Sequence, residues 1–298
     1  MLNACLLFVG FMAFIAGLSS RPVTGPAIAA SPPLDVRIAP SALRQGDVAL
    51  VSVGGASGAR EVTGRLGERA LHFFPRGDGH MAIVGIDLET APGRTPWRIE
   101  IVDGAGASRA ATGELAVRAR QFPVQRLTLP RQQVDLDPET LRRAEAEAAR
   151  LAALYDTLTP ERLWRGPFAR PVGGESEGHG FGARRIINGQ PRRPHSGLDY
   201  TASRGTPVLA ANRGRVALAG DFFFPGHLVV LDHGLGLYTL YMHLDRVDAV
   251  EGALVDRGET LGTVGATGRA TGPHLHFAAQ VGRARVDPQS LLGASLRD

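Results

Sequence analysis

The sequence is poor in cysteine and has no lysine, and each scarcity excludes a class of protein. One cysteine in 298 residues excludes an internal disulfide framework and any metal site built on paired cysteines. A bound metal must therefore be held by nitrogen and oxygen atoms. All 33 basic residues are arginines and none of them form a long run, so nothing indicates a basic tail that binds nucleic acid.

The N-terminus predicts export. Residues 6–18 form an apolar run that is short for a membrane-spanning helix, and residues 19–30 are small and polar. Ala27-Ile28-Ala29 fits an A-x-A cleavage site. We therefore predict a signal peptide at residues 1–29, with the mature chain in the periplasm or cell envelope. No basic residue precedes the apolar run, so an uncleaved N-terminal membrane anchor is the alternative.

The rest of the chain predicts a mainly β protein with two domains and a connecting helix. In residues 31–120, short strand-like runs such as Val48–Val53 and Trp97–Val102 alternate with glycine-rich turns, a pattern typical of a β-sandwich. Residues 166–298 are dense in glycine and contain six further short β-rich runs. This texture predicts a compact antiparallel β domain with tight turns.

A helical linker is predicted at residues 121–165. Asp137 suits the N-cap position, Pro138 suits the first helical turn, and apolar residues recur at three- and four-residue steps through Leu158. The helix is therefore expected over 137–158. Residues 31–165 carry no recognisable chemistry, and we expect them either to restrain the C-terminal domain or to serve as a spacer or targeting domain.

Histidine is concentrated in the C-terminal domain, which holds seven of the nine. Three groupings stand out: His195 with Asp199, His243 at the end of an apolar run, and His274 with His276. On a strand, residues i and i+2 point to the same face, so His274 and His276 would project together and Leu275 would face the opposite layer. A catalytic zinc site needs three such ligands and an open position.

These groupings resemble the lysostaphin/LytM-type zinc endopeptidases. The motifs that carry the resemblance are His195-x-x-x-Asp199, Tyr241-Met242-His243-Leu244 and Gly272-Pro273-His274-Leu275-His276-Phe277. It spans residues 181–288 and leaves residues 34–165 uncovered.

The resemblance implies one Zn²⁺ per chain, held by His195, Asp199 and His276. His243 and His274 would then handle protons and polarise the scissile carbonyl. Three other histidines match no role in the family, and we expect them at surface or loop positions: His179, His227 and His233.

The function implied is hydrolysis of the peptide cross-links of bacterial peptidoglycan during cell-wall remodelling. A D,D-bond between D-alanine and a diamino acid is favoured, and a glycine bridge is the second choice. Some members of the family lack ligands and only activate other wall hydrolases, so a non-enzymatic wall-binding or activating module is the alternative. Nucleic acid is not expected as a partner, since aromatic platforms and arginine clusters are missing.

Overall fold

Residues 35–118 fold into two β-sheets in the computed structural model, which describes residues 34–174 and 177–296. The first sheet is antiparallel, in the order β1-β3-β7-β6; its strands are β1 (Asp35–Ala39), β3 (Val48–Gly54), β6 (Phe73–Arg76) and β7 (Gly79–Gly85). The second has the order β2-β9-β8-β4-β5; its strands are β2 (Leu43–Arg44), β4 (Ala59–Leu66), β5 (Arg69–Ala70), β8 (Gly93–Asp103) and β9 (Ser108–Arg118).

The two sheets share a core, as a sandwich requires. Val51 and Val53 of β3 pack in one apolar cluster with Ile99 of β8 and Leu115 of β9. The mainly β prediction is confirmed. The predicted signal peptide and its alternative, the anchor, fall outside the described residues. Among the described residues, no helix is long and apolar enough to cross a membrane.

Strand β3 is buried on both faces. Its residues Val48 and Leu50 belong to a cluster that contains C-terminal residues such as Val286 and Leu291, whereas Val51 and Val53 face the sandwich core. Alternate residues of a strand point to opposite faces, so this sheet packs between two layers. The predicted domains of residues 31–120 and 166–298 therefore share one hydrophobic core.

The linker contains a strand as well as a helix. Strand β10 (Val124–Leu127) pairs in parallel with β11 (Arg184–Ile187), which also pairs with β12 (Gln190–Pro191). A 3₁₀ turn follows at Arg131–Gln133. These four residues alternate weakly and include an arginine, which is little β signal, so strand β10 was not predicted.

Helix α1 spans Pro138–Leu154 and is shorter than the predicted 137–158. Asp137 caps it, accepting hydrogen bonds from the backbone N–H groups of Glu139 and Thr140, both at 2.9 Å. The apolar spacing continues beyond Leu154, but the chain leaves the helix at Tyr155. The N–H of Thr157, three residues after Leu154, and its hydroxyl both donate to the Leu154 carbonyl, so tighter turns replace the helical pattern there.

A nine-stranded antiparallel sheet forms most of the C-terminal part. Its main path is β13-β20-β17-β16-β15-β18, with β14 on β19, β19 also on β17, and β21 on β20. The strands are β13 (Gly197–Tyr200), β14 (Pro207–Leu209), β15 (Gly214–Phe222), β16 (Gly226–Gly234), β17 (Leu237–Val247), β18 (Leu254–Val255), β19 (Thr260–Val264), β20 (Leu275–Val281) and β21 (Ala284–Val286). A short helix, α2 (Pro288–Leu292), follows.

The central strands of this sheet are also covered on both faces. Val229 and Leu231 of β16 lie in the core shared with the N-terminal sheets, whereas Leu228 and Val230 face a second cluster. Helix α1 covers that second cluster through side chains near its C-terminus. The metal-centre residues lie at one edge of this sheet, on and just before strand β13 and at the N-terminal end of its neighbour β20.

Candidate metal centre

Two neighbouring strands bring the predicted ligands together. Strands β13 and β20 pair so that Asp199 lies directly opposite His276, and Met242 of β17 lies opposite His276 on its other side. His195 lies two residues before the start of β13, and its backbone is fixed by hydrogen bonds with Ala183 and Gly182. Leu275, between the two histidines, is fully buried in the core as its register requires.

Three ligand atoms converge on one point. His195 Nε2 lies 3.0 Å from Asp199 Oδ1 and 2.8 Å from His276 Nδ1, and His276 Nδ1 lies 2.8 Å from Asp199 Oδ1. His195 and His276 are buried, and the Asp199 side chain is one-fifth exposed. Within the described residues, this trio is the group of histidine and carboxylate side chains with metal-site spacing.

Backbone carbonyls determine the tautomers of three histidines. His195 Nδ1 donates to the carbonyl oxygen of Gly180, His243 Nδ1 to that of Thr267, and His274 Nδ1 to that of Gly272, each at 2.8 Å. A carbonyl can only accept, so Nδ1 carries the proton and Nε2 of each neutral ring has a free lone pair. His274 Nε2 lies 3.8 Å from Asp199 Oδ1.

The two other predicted histidines lie beside the trio. The ring centroids of His243 and His274 are 4.8 Å apart, and those of His243 and His276 are 6.0 Å apart. His243 has a φ of 62°, a left-handed backbone conformation that residues other than glycine rarely adopt. It lies where β17 shifts register against its neighbours, and such strained backbone persists mainly at functional sites.

Burial keeps two of these rings neutral. It lowers the pKa of His276 to about 4 and, together with the neighbouring His276 and His274, lowers the pKa of His243 to about 3. Burial alone would raise the pKa of Asp199, but the ring nitrogens of His195 and His276 hold that pKa well below its usual range. At neutral pH, His243 and His276 are therefore neutral and Asp199 is ionised.

This donor set fits zinc. With His195 neutral and its proton on Nδ1, His195 Nε2 brings a lone pair within 3.0 Å of a carboxylate oxygen and a second ring nitrogen. Such closely spaced lone pairs repel one another unless a proton or a cation lies among them. Two histidines and one carboxylate are a ligand set of catalytic zinc sites, which keep a fourth position open.

Glycine is required at two positions around the trio. A Cβ at Gly197 would lie 2.5 Å from the carbonyl oxygen of Phe277 and 2.7 Å from His276 Nε2. Gly180, with a φ of 93°, would place a Cβ 2.9 Å from His195 Nδ1. A side chain at either position would displace a histidine of the predicted ligand trio, which explains the glycine in His195-Ser196-Gly197-Leu198-Asp199.

Sequence reasoning missed three residues of the cleft. Arg185 Nη2 lies 3.8 Å from Asp199 Oδ2, and its Nε donates to Gln125 Oε1 at 3.2 Å. Arg269 also lines the cleft. The sequence did contain one signal for a basic cleft. Two arginine pairs, Arg184-Arg185 and Arg192-Arg193, lie on either side of the β11–β12 hairpin. Gln125 belongs to the unpredicted strand β10 and had no signal.

One expectation about the remaining histidines is wrong. His233, expected at the surface or in a loop, is completely buried in β16, where Nδ1 donates to the Arg213 carbonyl and Nε2 contacts Thr239 Oγ1 at 2.7 Å. Burial lowers the pKa of His233 to about 4. Strand β16 is covered on both faces around His233, so this position does not face solvent. His179 is exposed and His227 partly exposed.

The fold and the donor set define a β-sheet metallopeptidase. A model of peptidase family M23 matches residues 193–288. A crystal structure of an M23 peptidase from Pseudomonas aeruginosa is 33% identical, with a TM-score of 0.64, and the match covers 84% of this chain and 95% of that one. The chain belongs to peptidase family M23, whose metal is zinc, and the resemblance to lysostaphin/LytM-type enzymes is confirmed.

Two characterised relatives share the C-terminal region. The DD-carboxypeptidase/endopeptidase Mpg of Neisseria meningitidis is 43% identical over 99 residues, which are 33% of this chain and 23% of that protein. The peptidoglycan DD-endopeptidase ShyC of Vibrio cholerae is 39% identical over 113 residues, which are 37% of this chain and 26% of that protein. The chain therefore matches about a quarter of the length of these relatives.

Proposed function

We propose that the protein is a zinc metallo-endopeptidase that hydrolyses the peptide cross-links of bacterial peptidoglycan, with a D,D-bond as the favoured target. The observation that carries the proposal is the convergence of His195, Asp199 and His276 beside two further histidines in an open cleft. The names of the matching relatives from Neisseria and Vibrio support peptidoglycan and the D,D-bond.

In this proposal His195, Asp199 and His276 hold the metal. When bound, zinc supplies a Lewis acid for the scissile carbonyl and a water that is nucleophilic at neutral pH. His195 Nε2 and Asp199 Oδ1 each have a free lone pair, so both atoms can bind a metal ion without first losing a proton. Arg185, near the outer oxygen of Asp199, orients that carboxylate and offsets its charge.

His243 and His274 move protons in this proposal. Each neutral ring has its Nδ1 proton on a backbone carbonyl and a free lone pair at Nε2, so either ring can accept a proton from the attacking water. Only a ring that has accepted a proton can donate from Nε2 to the leaving amine or to a developing oxyanion. The same ring can therefore act first as base and then as acid.

Location and domain organisation remain part of the proposal. A peptidoglycan substrate agrees with export to the periplasm or envelope, as the predicted signal peptide at residues 1–29 requires. We propose the β-rich region at 31–120, the linker at 121–165 and the peptidase domain at 166–298 as the three parts of the mature protein. The linker contributes Gln125, Leu127 and Leu129 to the cleft wall, which supports a part in building the site.

Mass spectrometry of muropeptides released from defined sacculi tests the function. We expect the zinc-loaded protein to convert cross-linked dimers into monomers, and the masses of the new ends identify the bond. His274→Ala protein with equal zinc content is the control and should leave the dimers intact. Stoichiometric zinc in the unaltered chain without any turnover would contradict the enzyme and favour a wall-binding or activating module.

A further inference from the structure

The cleft beside the metal centre is strongly basic. It has a volume of about 270 Å³, and Arg185, Arg193 and Arg269 line it, whereas Asp199 is the one carboxylate among its lining residues. In the proposed function the charge of Asp199 is neutralised by the metal. Arg185 keeps its contact with the outer oxygen of Asp199, and Arg193 and Arg269 line the cleft with no other carboxylate beside them, so the cleft favours an anionic ligand.

Arg269 is held in place without a carboxylate partner. Its guanidinium carbon lies 4.2 Å above the ring of Phe224, and its backbone N–H donates to the Phe224 carbonyl at 3.0 Å. Within residues 34–174 and 177–296, no carboxylate lies within ion-pair distance of it. Burial, and the nearby charges of Arg185 and Arg192, lower the pKa of Arg269 to about 10, so it stays protonated at neutral pH.

Arg185 is fixed between the linker and the metal centre. Its Nε donates to Gln125 Oε1 of β10, and its Nη2 approaches Asp199. Side chains of this kind, stacked or anchored at one end, lose little conformational entropy when they bind a ligand. Their forked N–H groups match the two oxygens of a carboxylate.

We propose that Arg269, with Arg185, binds a free carboxylate on the peptide next to the scissile bond. This inference rests on the proposed function, and it makes the cleft selective for peptidoglycan peptides whose carboxylates are free over those whose carboxylates are amidated. An amide at that position offers one neutral acceptor oxygen and an N–H₂ group that cannot pair with a guanidinium. The amidated peptide therefore leaves Arg269 without a counter-charge.

A matched pair of cross-linked muropeptides tests the proposal with the zinc-loaded full chain. The two substrates differ only in whether the carboxylate next to the cross-link is free or amidated. We expect kcat/KM to favour the free acid by about 10- to 100-fold, mainly through KM. Arg269→Gln should remove most of this preference by lowering the rate on the free acid and leaving the amidated substrate nearly unchanged.

Arg215→Gln is the control variant. Arg215 is exposed on β15, bonds to the Gly252 carbonyl, and does not line the cleft. It should keep the unaltered preference. Equal cleavage of both substrates by the unaltered chain would overturn the proposal, and so would an equal loss on both substrates in Arg269→Gln, because that result indicates a structural role.

Calorimetric binding of the same two peptides separates this inference from the proposed function. If the unaltered chain cleaves neither substrate but binds the free acid more tightly than the amide, and Arg269→Gln removes that difference, the proposed function fails and the carboxylate site stands. If it cleaves both substrates with no difference in binding or rate, the carboxylate site fails and the proposed function stands.

Discussion

At the scale of single residues, the backbone controls the chemistry of the histidines. His195, His243 and His274 each donate Nδ1–H to a carbonyl oxygen at 2.8 Å, so the loops that carry those carbonyls decide which ring nitrogen is free. His276 differs because its Nδ1 faces the two other atoms of the trio, His195 Nε2 and Asp199 Oδ1.

Alanine variants of the trio should lose zinc. His195→Ala, Asp199→Ala and His276→Ala each leave two ligands, and a three-ligand site binds poorly with two. Metal analysis of the purified variants measures this directly. His179→Ala is the control, since its side chain is exposed and it contacts Asp199 through its backbone alone. Full zinc occupancy in a trio variant would remove that residue from the ligand set.

Alanine variants of the other two histidines should keep zinc and lose activity. His243→Ala and His274→Ala remove an Nε2 lone pair beside the trio, and we expect turnover to fall by roughly two to four orders of magnitude. Rates on a soluble cross-linked muropeptide, together with zinc content, measure both effects. Near-normal turnover would contradict the proton-transfer role. Loss of zinc would instead place that histidine among the ligands.

At the scale of elements, one loop and one edge strand join the two halves of the molecule. Asp87, in the loop after β7, accepts hydrogen bonds from the backbone N–H and the guanidinium of Arg285 in β21, at 2.8–3.0 Å. The Leu88 N–H donates to the Arg285 carbonyl. Burial alone would raise the pKa of Asp87, but the hydrogen bonds from Arg285 and Glu89 lower it.

Asp87→Asn should destabilise the protein in a pH-dependent way. We expect the free energy of unfolding to fall by about 1–3 kcal/mol at neutral pH, because charged hydrogen bonds to Arg285 are lost. The pKa of Asp87 is lower in the folded chain, so its contribution is full above the unfolded pKa of about 3.9 and is lost as the pH falls further.

Urea denaturation at neutral and acidic pH measures this difference. The gap between Asp87→Asn and the unaltered chain should shrink below a pH of about 3.9. Asp78→Asn, at an exposed turn position, is the control and should match the unaltered chain. A gap that stays constant with pH would contradict the charge-based account of this contact.

At the scale of the whole molecule, the N-terminal sheets and the linker form part of the peptidase framework. One face of β3 and β7 packs against the C-terminal sheet, through residues such as Leu50 and Met81. Arg120 forms an ion pair with Asp287 at 2.8 Å. Within the described residues, the N-terminal half contributes no histidine or carboxylate to the ligand trio, so a masking fourth ligand finds no support there.

Truncation should therefore weaken the enzyme. A fragment of residues 163–298 exposes the shared core and lacks β10 with Gln125, so we expect a lower Tm and slower hydrolysis than in the full mature chain. A fragment of residues 121–298 keeps β10 and α1 and should retain more activity. Thermal unfolding, zinc content and rates on one soluble muropeptide compare the three.

The opposite result has a clear meaning. If the 163–298 fragment keeps its zinc and is faster than the full chain, residues 31–165 restrain the peptidase domain. Equal rates on the soluble substrate, with a loss confined to intact sacculi, would assign those residues to targeting. These outcomes therefore distinguish restraint of the peptidase domain from a targeting role for residues 31–165.

The sequence by itself indicated the peptidase family and predicted the residues of the candidate site. His195, Asp199, His243, His274 and His276 stand in short motifs whose spacing reflects local geometry: a two-residue period on a strand, and a glycine where a Cβ would strike a ligand. Such constraints act between residues that are close in the chain, so the sequence shows them directly. The same reason makes the start of α1 at Asp137 and Pro138 readable, since capping involves three or four consecutive residues.

Only the tertiary structure decided how the halves combine and what surrounds the metal centre. Strand β10 forms by pairing with β11, which lies 60 residues further along the chain. Its own four residues have no strong preference for a β-strand. The burial of His233 and the approach of Arg185 to Asp199 depend on which faces of each strand become covered. These features arise from long-range packing, which the local pattern of apolar and polar residues does not encode.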